Sequence, residues 1–76
     1  MDREKVKEAL QEIVANSEVP SLNYAINYAK YGLAMIASDA ENHDLKVQLL
    51  YVRNNISYWR GETAKRVRLI LKENTK

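Results

Sequence analysis

Few side chains in this sequence can do chemistry, and the first to consider is the single histidine. His43 lies in the polar segment DAENHD, directly before Asp44 and two positions after Glu41. An imidazole works as a general base or a metal ligand only where a nucleophile or further ligands surround it. The chain has no cysteine, no second histidine and no glycine-rich phosphate loop. We therefore expect a solvated loop histidine, no metal site, no cofactor and no enzymatic activity.

The tyrosines are the second chemically informative set. Five tyrosines and no phenylalanine are an unusual choice for a small chain. Tyrosine joins an apolar ring to a polar hydroxyl, so it suits half-buried rims and interfaces. Either a neighbouring helix covers these rings, or they form a contact surface for a second copy or another protein. The aromatic residues expected to divide between core and interface are Tyr24, Tyr28, Tyr31, Tyr51, Tyr58 and Trp59.

The basic residues form the third set, and they concentrate towards the C-terminus. Residues 1–44 hold eight acidic and four basic side chains, whereas residues 45–76 hold two acidic and eight basic ones. Such asymmetry indicates either contact with phosphates or attraction between the two halves of the chain. In the second case the partners are the acidic row Glu4, Glu8 and Glu12, and each exposed pair contributes only about 0–1 kcal/mol. The candidate contacts to an anionic partner are Lys46, Arg53, Arg60, Lys65, Arg66, Arg68 and Lys72.

The stretch YWRGETAKRV raises a narrower alternative, a helix-turn-helix motif centred on Gly61. Ser57 and Val67 suit the small and apolar positions of that motif. The residues on either side of Gly61 are charged, however, where the motif needs a core-facing side chain. The resemblance is therefore partial. In this alternative the side chains directed towards a DNA groove are Thr63, Lys65, Arg66 and Arg68.

Helices must position all of these side chains, because apolar residues recur at three- and four-residue spacing and no strand-like alternation is present. Asp2, Ser21 and Asp44 are the expected N-caps, and the segment before Pro20 separates the first two helices. The expected helices cover residues 3–15, 21–39 and 44–60, and the third either continues through Gly61 or restarts over residues 62–73.

The apolar positions favour a continuous third helix. The expected buried stripe of helix 2 is Leu22, Ile26, Ala29, Leu33 and Ile36, and that of helix 3 is Leu45, Leu49, Val52, Ile56 and Trp59. Thr63, Val67 and Ile70 continue the helix 3 stripe with the same phase. We therefore expect Gly61 to be a soft point inside one long helix, and a break at Gly61 is the alternative.

The expected architecture is an all-α, single-domain, three-helix bundle in which helices 2 and 3 form an antiparallel hairpin. A chain of 76 residues buries only about 60% of its unfolded surface, and these helices carry much apolar surface. We therefore expect a homodimer. The charged N-terminus and the lack of a long apolar run predict a cytoplasmic protein without a membrane span. The leading functional hypothesis is a non-enzymatic protein–protein interaction or self-association module, and the alternative is nucleic-acid binding through the basic C-terminal helix, Arg60 to Lys72.

Overall fold

The structure is a computed structural model that describes all 76 residues. Its helices are α1 (Arg3–Ala15), α2 (Asn23–Ala37), α3 (Asn42–Asn54) and α4 (Glu62–Glu73), and a 3-10 turn over Pro20–Leu22 leads into α2. No strand is present, so the all-α expectation is confirmed. The expected three-helix bundle with a long third helix is not found, because the C-terminal part contains two separate helices.

The helix starts follow local capping chemistry only in part. At α1 the Asp2 Oδ1 accepts a hydrogen bond from the Lys5 backbone N–H at 3.1 Å, as expected of an N-cap. Helix α2 begins after the 3-10 turn, and Ser21 lies inside that turn instead of capping the helix. Helix α3 begins at Asn42, so Asp44 lies in its first turn, where a carboxylate still complements the helix dipole.

The expected continuous helix through Gly61 is wrong. Helix α3 ends at Asn54, and Gly61 is the N-cap of α4 with φ 111° and ψ 175°. This conformation is available almost only to glycine. The apolar phase nevertheless survives, because Asn55 and Trp59 donate backbone hydrogen bonds to residues three positions earlier. Such tight turns keep Ile56 and Trp59 directed at the core without an α-helix.

The helices pack in an antiparallel order. Tyr28 in the first half of α2 contacts Gln48 at the middle of α3 and Tyr51 in its second half. Since only residues 38–41 connect the two helices, they form the expected antiparallel hairpin. Helix α1 packs against α2 and α4, and α3 packs against the same two helices. Since Arg66 near the start of α4 contacts Glu12 near the end of α1, this pair is antiparallel as well.

One continuous core joins the helices and the connection between α3 and α4. All five residues of the expected helix 3 stripe are buried. The apolar side of α1 is buried as well, with Val14 half-buried at its edge; its buried residues are Val6, Ala9, Leu10 and Ile13. The accessible surface of 4884 Å² is close to the ~4,800 Å² expected for a folded monomer of this mass. The core is therefore complete within one copy, and a dimer is not needed to finish it.

Helix α2 is rotated by a fraction of a turn from the orientation that its apolar spacing predicts. Of the expected stripe, Leu22 and Ala29 are buried, whereas Ile26, Leu33 and Ile36 are half-buried and pack against the edge of the core. The residues of α2 that are fully buried are the small ones, Ala25, Ala29 and Gly32. Small residues let α1 approach closely: a Cβ atom on Gly32 would lie 3.0 Å from Leu10 Cδ1. The close approach of α1 therefore selects the small-residue side.

Gly32→Ala is expected to lower the free energy of unfolding by about 1 kcal/mol. Crowding of the fully buried Leu10 costs about 1–3 kcal/mol, and this outweighs the gain of about 1 kcal/mol in helix propensity. Urea denaturation followed by circular dichroism measures the change. The control is Ala34→Gly at an exposed position of α2, which measures the contribution of helix propensity alone.

A double-mutant cycle with Leu10→Ala identifies the contact. Leu10→Ala alone costs about 2–5 kcal/mol, and it should cost about 1–2 kcal/mol less when residue 32 is alanine. Strict additivity of the two substitutions would show that Gly32 and Leu10 do not crowd each other.

Candidate functional site

Bulky side chains cover the outer side of the α2–α3 hairpin, which we call the tyrosine face. Tyr24, Tyr28 and Tyr31 follow each other on α2 at spacings of four and three residues, so they share one side of that helix. Tyr24 is 77% and Tyr31 65% exposed. Helix α3 adds the exposed Val47 and Tyr51 beside them. The tyrosine face is defined by Tyr24, Tyr28, Tyr31, Val47 and Tyr51.

Contacts between α2 and α3 hold this face in place. The rings of Tyr28 and Tyr51 stack with centroids 5.7 Å apart and planes 15° apart. Beside them the Gln48 side-chain amide donates a hydrogen bond to the Tyr28 carbonyl oxygen at 2.9 Å. A shallow depression between the helices is lined by Asn27, Tyr28, Tyr31 and Gln48. Nothing in the sequence distinguishes Gln48 from the other polar residues, so only the structure shows its position at this face.

The α2 part of the tyrosine face carries little charge. Lys30 is the one charged residue among the 15 residues of α2, whereas 29% of all residues in the chain are charged. Depletion of charge together with enrichment in tyrosine is the composition typical of the centre of a protein–protein interface. The chemistry of this face therefore suits contact with another folded protein surface.

Two of the six aromatic candidates lie away from the tyrosine face. Trp59 is only 5% exposed and belongs to the core. Tyr58 is 80% exposed but lies in the connection between α3 and α4. The burial of Trp59 agrees with its place in the expected helix 3 stripe, to which Tyr58 does not belong. Trp59 is therefore not available to a partner.

The basic residues pair with the acidic row of α1 at one position. Arg66 Nη2 lies 3.1 Å from Glu12 Oε1. The structure contains one other ion pair, between Arg3 and Asp39 at the end of α2. Of the candidate contacts to an anionic partner, only Arg66 thus has its charge balanced by a carboxylate.

Several of the remaining cations donate hydrogen bonds to neutral oxygens. Arg68 Nη1 donates to the carbonyl oxygens of Ile56, at 3.3 Å, and of Trp59. Arg53 Nη1 donates to Thr75 Oγ1 at 2.9 Å. Arg60 Nη1 likewise donates to the Ser57 carbonyl oxygen, and Lys46 Nζ donates to a main-chain oxygen of Lys76. The contacts of the three arginines position their side chains but leave their charges uncompensated.

An open pocket lies where α3 and α4 meet, and three of these cations line it. Its volume is about 420 Å³. We call it the basic pocket, and its lining residues are Arg53, Asn54, Ser57, Arg68, Leu69 and Lys72. No carboxylate is among them. The seven-residue spacing of Lys46, Arg53 and Arg60 does not form the continuous row expected on one long helix, because α3 ends at Asn54.

The other sequence-based candidates have less to support them. His43 is exposed and lies in the first turn of α3, not in the preceding loop. In the helix-turn-helix alternative, α4 would direct Arg66 and Arg68 at DNA. Arg66 instead pairs with Glu12, whereas Arg68 uses only Nη1 for the carbonyl oxygens of the α3–α4 connection. That alternative therefore loses one of its four proposed DNA contacts, Arg66.

Comparisons with protein-family models, with curated protein sequences and with solved structures find no significant match. None of the helices combines the length and apolar character needed to cross a membrane. No cluster of three or more histidine, cysteine, aspartate or glutamate side chains is arranged to hold a metal ion. The function must therefore be inferred from the tyrosine face and the basic pocket themselves.

Proposed function

We propose that this protein is a non-enzymatic interaction module that forms a homodimer through the tyrosine face. The observation that carries the proposal is the orientation of α2: its small residues are buried, and its tyrosines face outwards on a nearly uncharged surface. Because the core is already complete, these rings are a preformed surface feature.

A second copy of the chain fits this surface chemically. In a twofold dimer the same patch meets itself, so a charged patch would repel its own copy. Such repulsion is small across α2, where Lys30 is the one charged residue. Tyrosine hydroxyls and the amides of Asn27 and Gln48 both donate and accept hydrogen bonds, so they can pair with identical groups.

The molecule has enough accessible surface for the required interface. A stable interface buries about 800 Å² on each partner, about one sixth of the 4884 Å² accessible surface. Aromatic residues dominate the binding energy of such interfaces. Since each copy folds around its own core, we expect a reversible dimer of folded monomers.

We expect the combined variant Tyr24→Lys and Tyr31→Lys to be a folded monomer. Each dimer would bring four added positive charges together at the twofold interface and would lose two aromatic contacts from each copy. The expected loss is at least about 2 kcal/mol, or a thirtyfold weaker dissociation constant. Sedimentation and light scattering from 1 to 100 µM measure the mass, and circular dichroism measures the fold.

Leu69→Lys is the matched control. Leu69 is 56% exposed on α4, which packs against α1 and α3 and lies away from the tyrosine face. This control also replaces an exposed apolar side chain with lysine, and it should leave the dimer unchanged. A monomeric wild-type mass at tens of micromolar would refute self-association. A double-lysine variant that remains dimeric would show that the dimer uses another surface.

A further inference from the structure

The basic pocket concentrates positive charge that nothing in the protein neutralises. Arg53, Arg68 and Lys72 line it, and none of them makes an ion pair with a carboxylate. The two acidic residues of α4, Glu62 and Glu73, are not among its lining residues. Three uncompensated cations around one concavity attract anions.

Two of the three cations are held ready for a ligand. Arg53 and Arg68 each use Nη1 for a contact within the protein. A guanidinium group has five N–H donors in a rigid plane, so others remain free to donate to a phosphate oxygen. Asn54 and Ser57 add neutral hydrogen-bonding groups at the pocket wall. The pocket thus offers the mixture of charged and neutral donors that phosphate groups bind.

The positive charge also continues beyond the pocket in a line. Lys65, Arg68 and Lys72 follow each other on α4 at spacings of three and four residues, so they lie on one side of the helix. Seven residues of helix span about 10 Å. A line of cations suits a chain of phosphates better than an isolated anion. From this arrangement we propose that the basic pocket and Lys65 bind the phosphate backbone of a nucleic acid, independently of dimer formation.

Binding should depend strongly on salt. Three or four neutralised phosphates release as many counterions, so affinity should fall roughly 20- to 150-fold between 50 and 200 mM salt. Contacts of this kind recognise the backbone and not the base sequence. Fluorescence anisotropy with labelled 20-nucleotide single strands and matched duplexes, each in two unrelated sequences, measures both properties and shows which strand form binds more tightly.

Two lysines allow a test that avoids the structural contacts of the arginines. Lys72→Glu is expected to weaken binding at least tenfold at 50 mM salt, and Lys65→Glu about threefold or more. The matched control is Lys7→Glu, which makes the same charge change at an exposed position of α1 and should change affinity less than twofold. Circular dichroism confirms that each variant folds. If Lys72→Glu does not fold, Lys72→Gln is used in its place.

The outcomes are distinct. Salt-sensitive binding that is lost on substitution at residues 72 and 65 supports the proposal. No binding by the wild-type protein at 50 mM salt overturns it, as does an equal loss from Lys7→Glu. Equally tight binding to polyglutamate overturns the phosphate assignment, and binding only to anionic phospholipid vesicles overturns the nucleic-acid assignment. The mass of the protein, measured without nucleic acid, reports dimer formation. Either proposal can therefore be refuted without affecting the other.

Discussion

Trp59→Ala is expected to lower the free energy of unfolding by about 3–5 kcal/mol, the range for truncation of a large buried aromatic side chain. The ring is only 5% exposed and closes the core beneath the connection between α3 and α4. A chain of 76 residues has a total stability of roughly 4–11 kcal/mol. The variant should therefore be partly unfolded at 25 °C or close to it.

Tyr58→Ala is the matched control, because it truncates the adjacent aromatic residue, whose side chain is 80% exposed. It should change stability by less than about 0.5 kcal/mol. Urea denaturation followed by circular dichroism at 222 nm compares the two variants without relying on tryptophan fluorescence. If Trp59→Ala cannot be refolded, Trp59→Phe keeps a ring and should show a smaller, measurable loss. Equal effects at residues 58 and 59 would contradict the buried position of Trp59.

Gly61→Ala is expected to destabilise the protein by about 1–3 kcal/mol, the cost of holding an L-residue in a sparsely populated backbone region. A Cβ atom at Gly61 would meet no atom within 4 Å, so crowding contributes nothing to this loss. The whole effect arises from φ 111° and ψ 175°. Thermal and urea denaturation of the purified variant measure it.

A D-alanine at position 61 separates backbone conformation from all other effects. The mirror image of the Gly61 conformation lies in the extended region, which an L-residue adopts without strain. A D-residue therefore fits at position 61, and a chain this short can be assembled by chemical ligation. The D-alanine protein should equal the wild type or exceed its stability by up to about 1 kcal/mol, because glycine loses more entropy on folding. Equal destabilisation by L- and D-alanine would refute the glycine-specific turn.

Local sequence chemistry was sufficient for several elements. The limits of α1 and its Asp2 cap follow from a capping carboxylate and a clear apolar stripe. The stripe from Leu45 to Trp59 was predicted correctly as buried. Periodicity succeeds here because each of these segments has one apolar side, and only that side can leave water.

The same periodicity failed at Gly61 because it records where side chains point, not how the backbone between them is folded. Turns closed by hydrogen bonds to the third preceding residue keep Ile56 and Trp59 on the core side as a helix would. The break covers residues 55–61, and it ends in a backbone conformation at Gly61 that glycine permits but does not require.

Both candidate sites were decided by tertiary contacts. Helix α2 is apolar around most of its circumference, and the tertiary structure shows that no other helix covers Tyr24 and Tyr31, which are 77% and 65% exposed. The sequence identified the tyrosines and the basic residues as the side chains able to bind a partner. Only the packing paired Arg66 with Glu12 and gathered Arg53, Arg68 and Lys72 around one pocket. Residues far apart in the chain make these contacts, and local propensity contains no information about them.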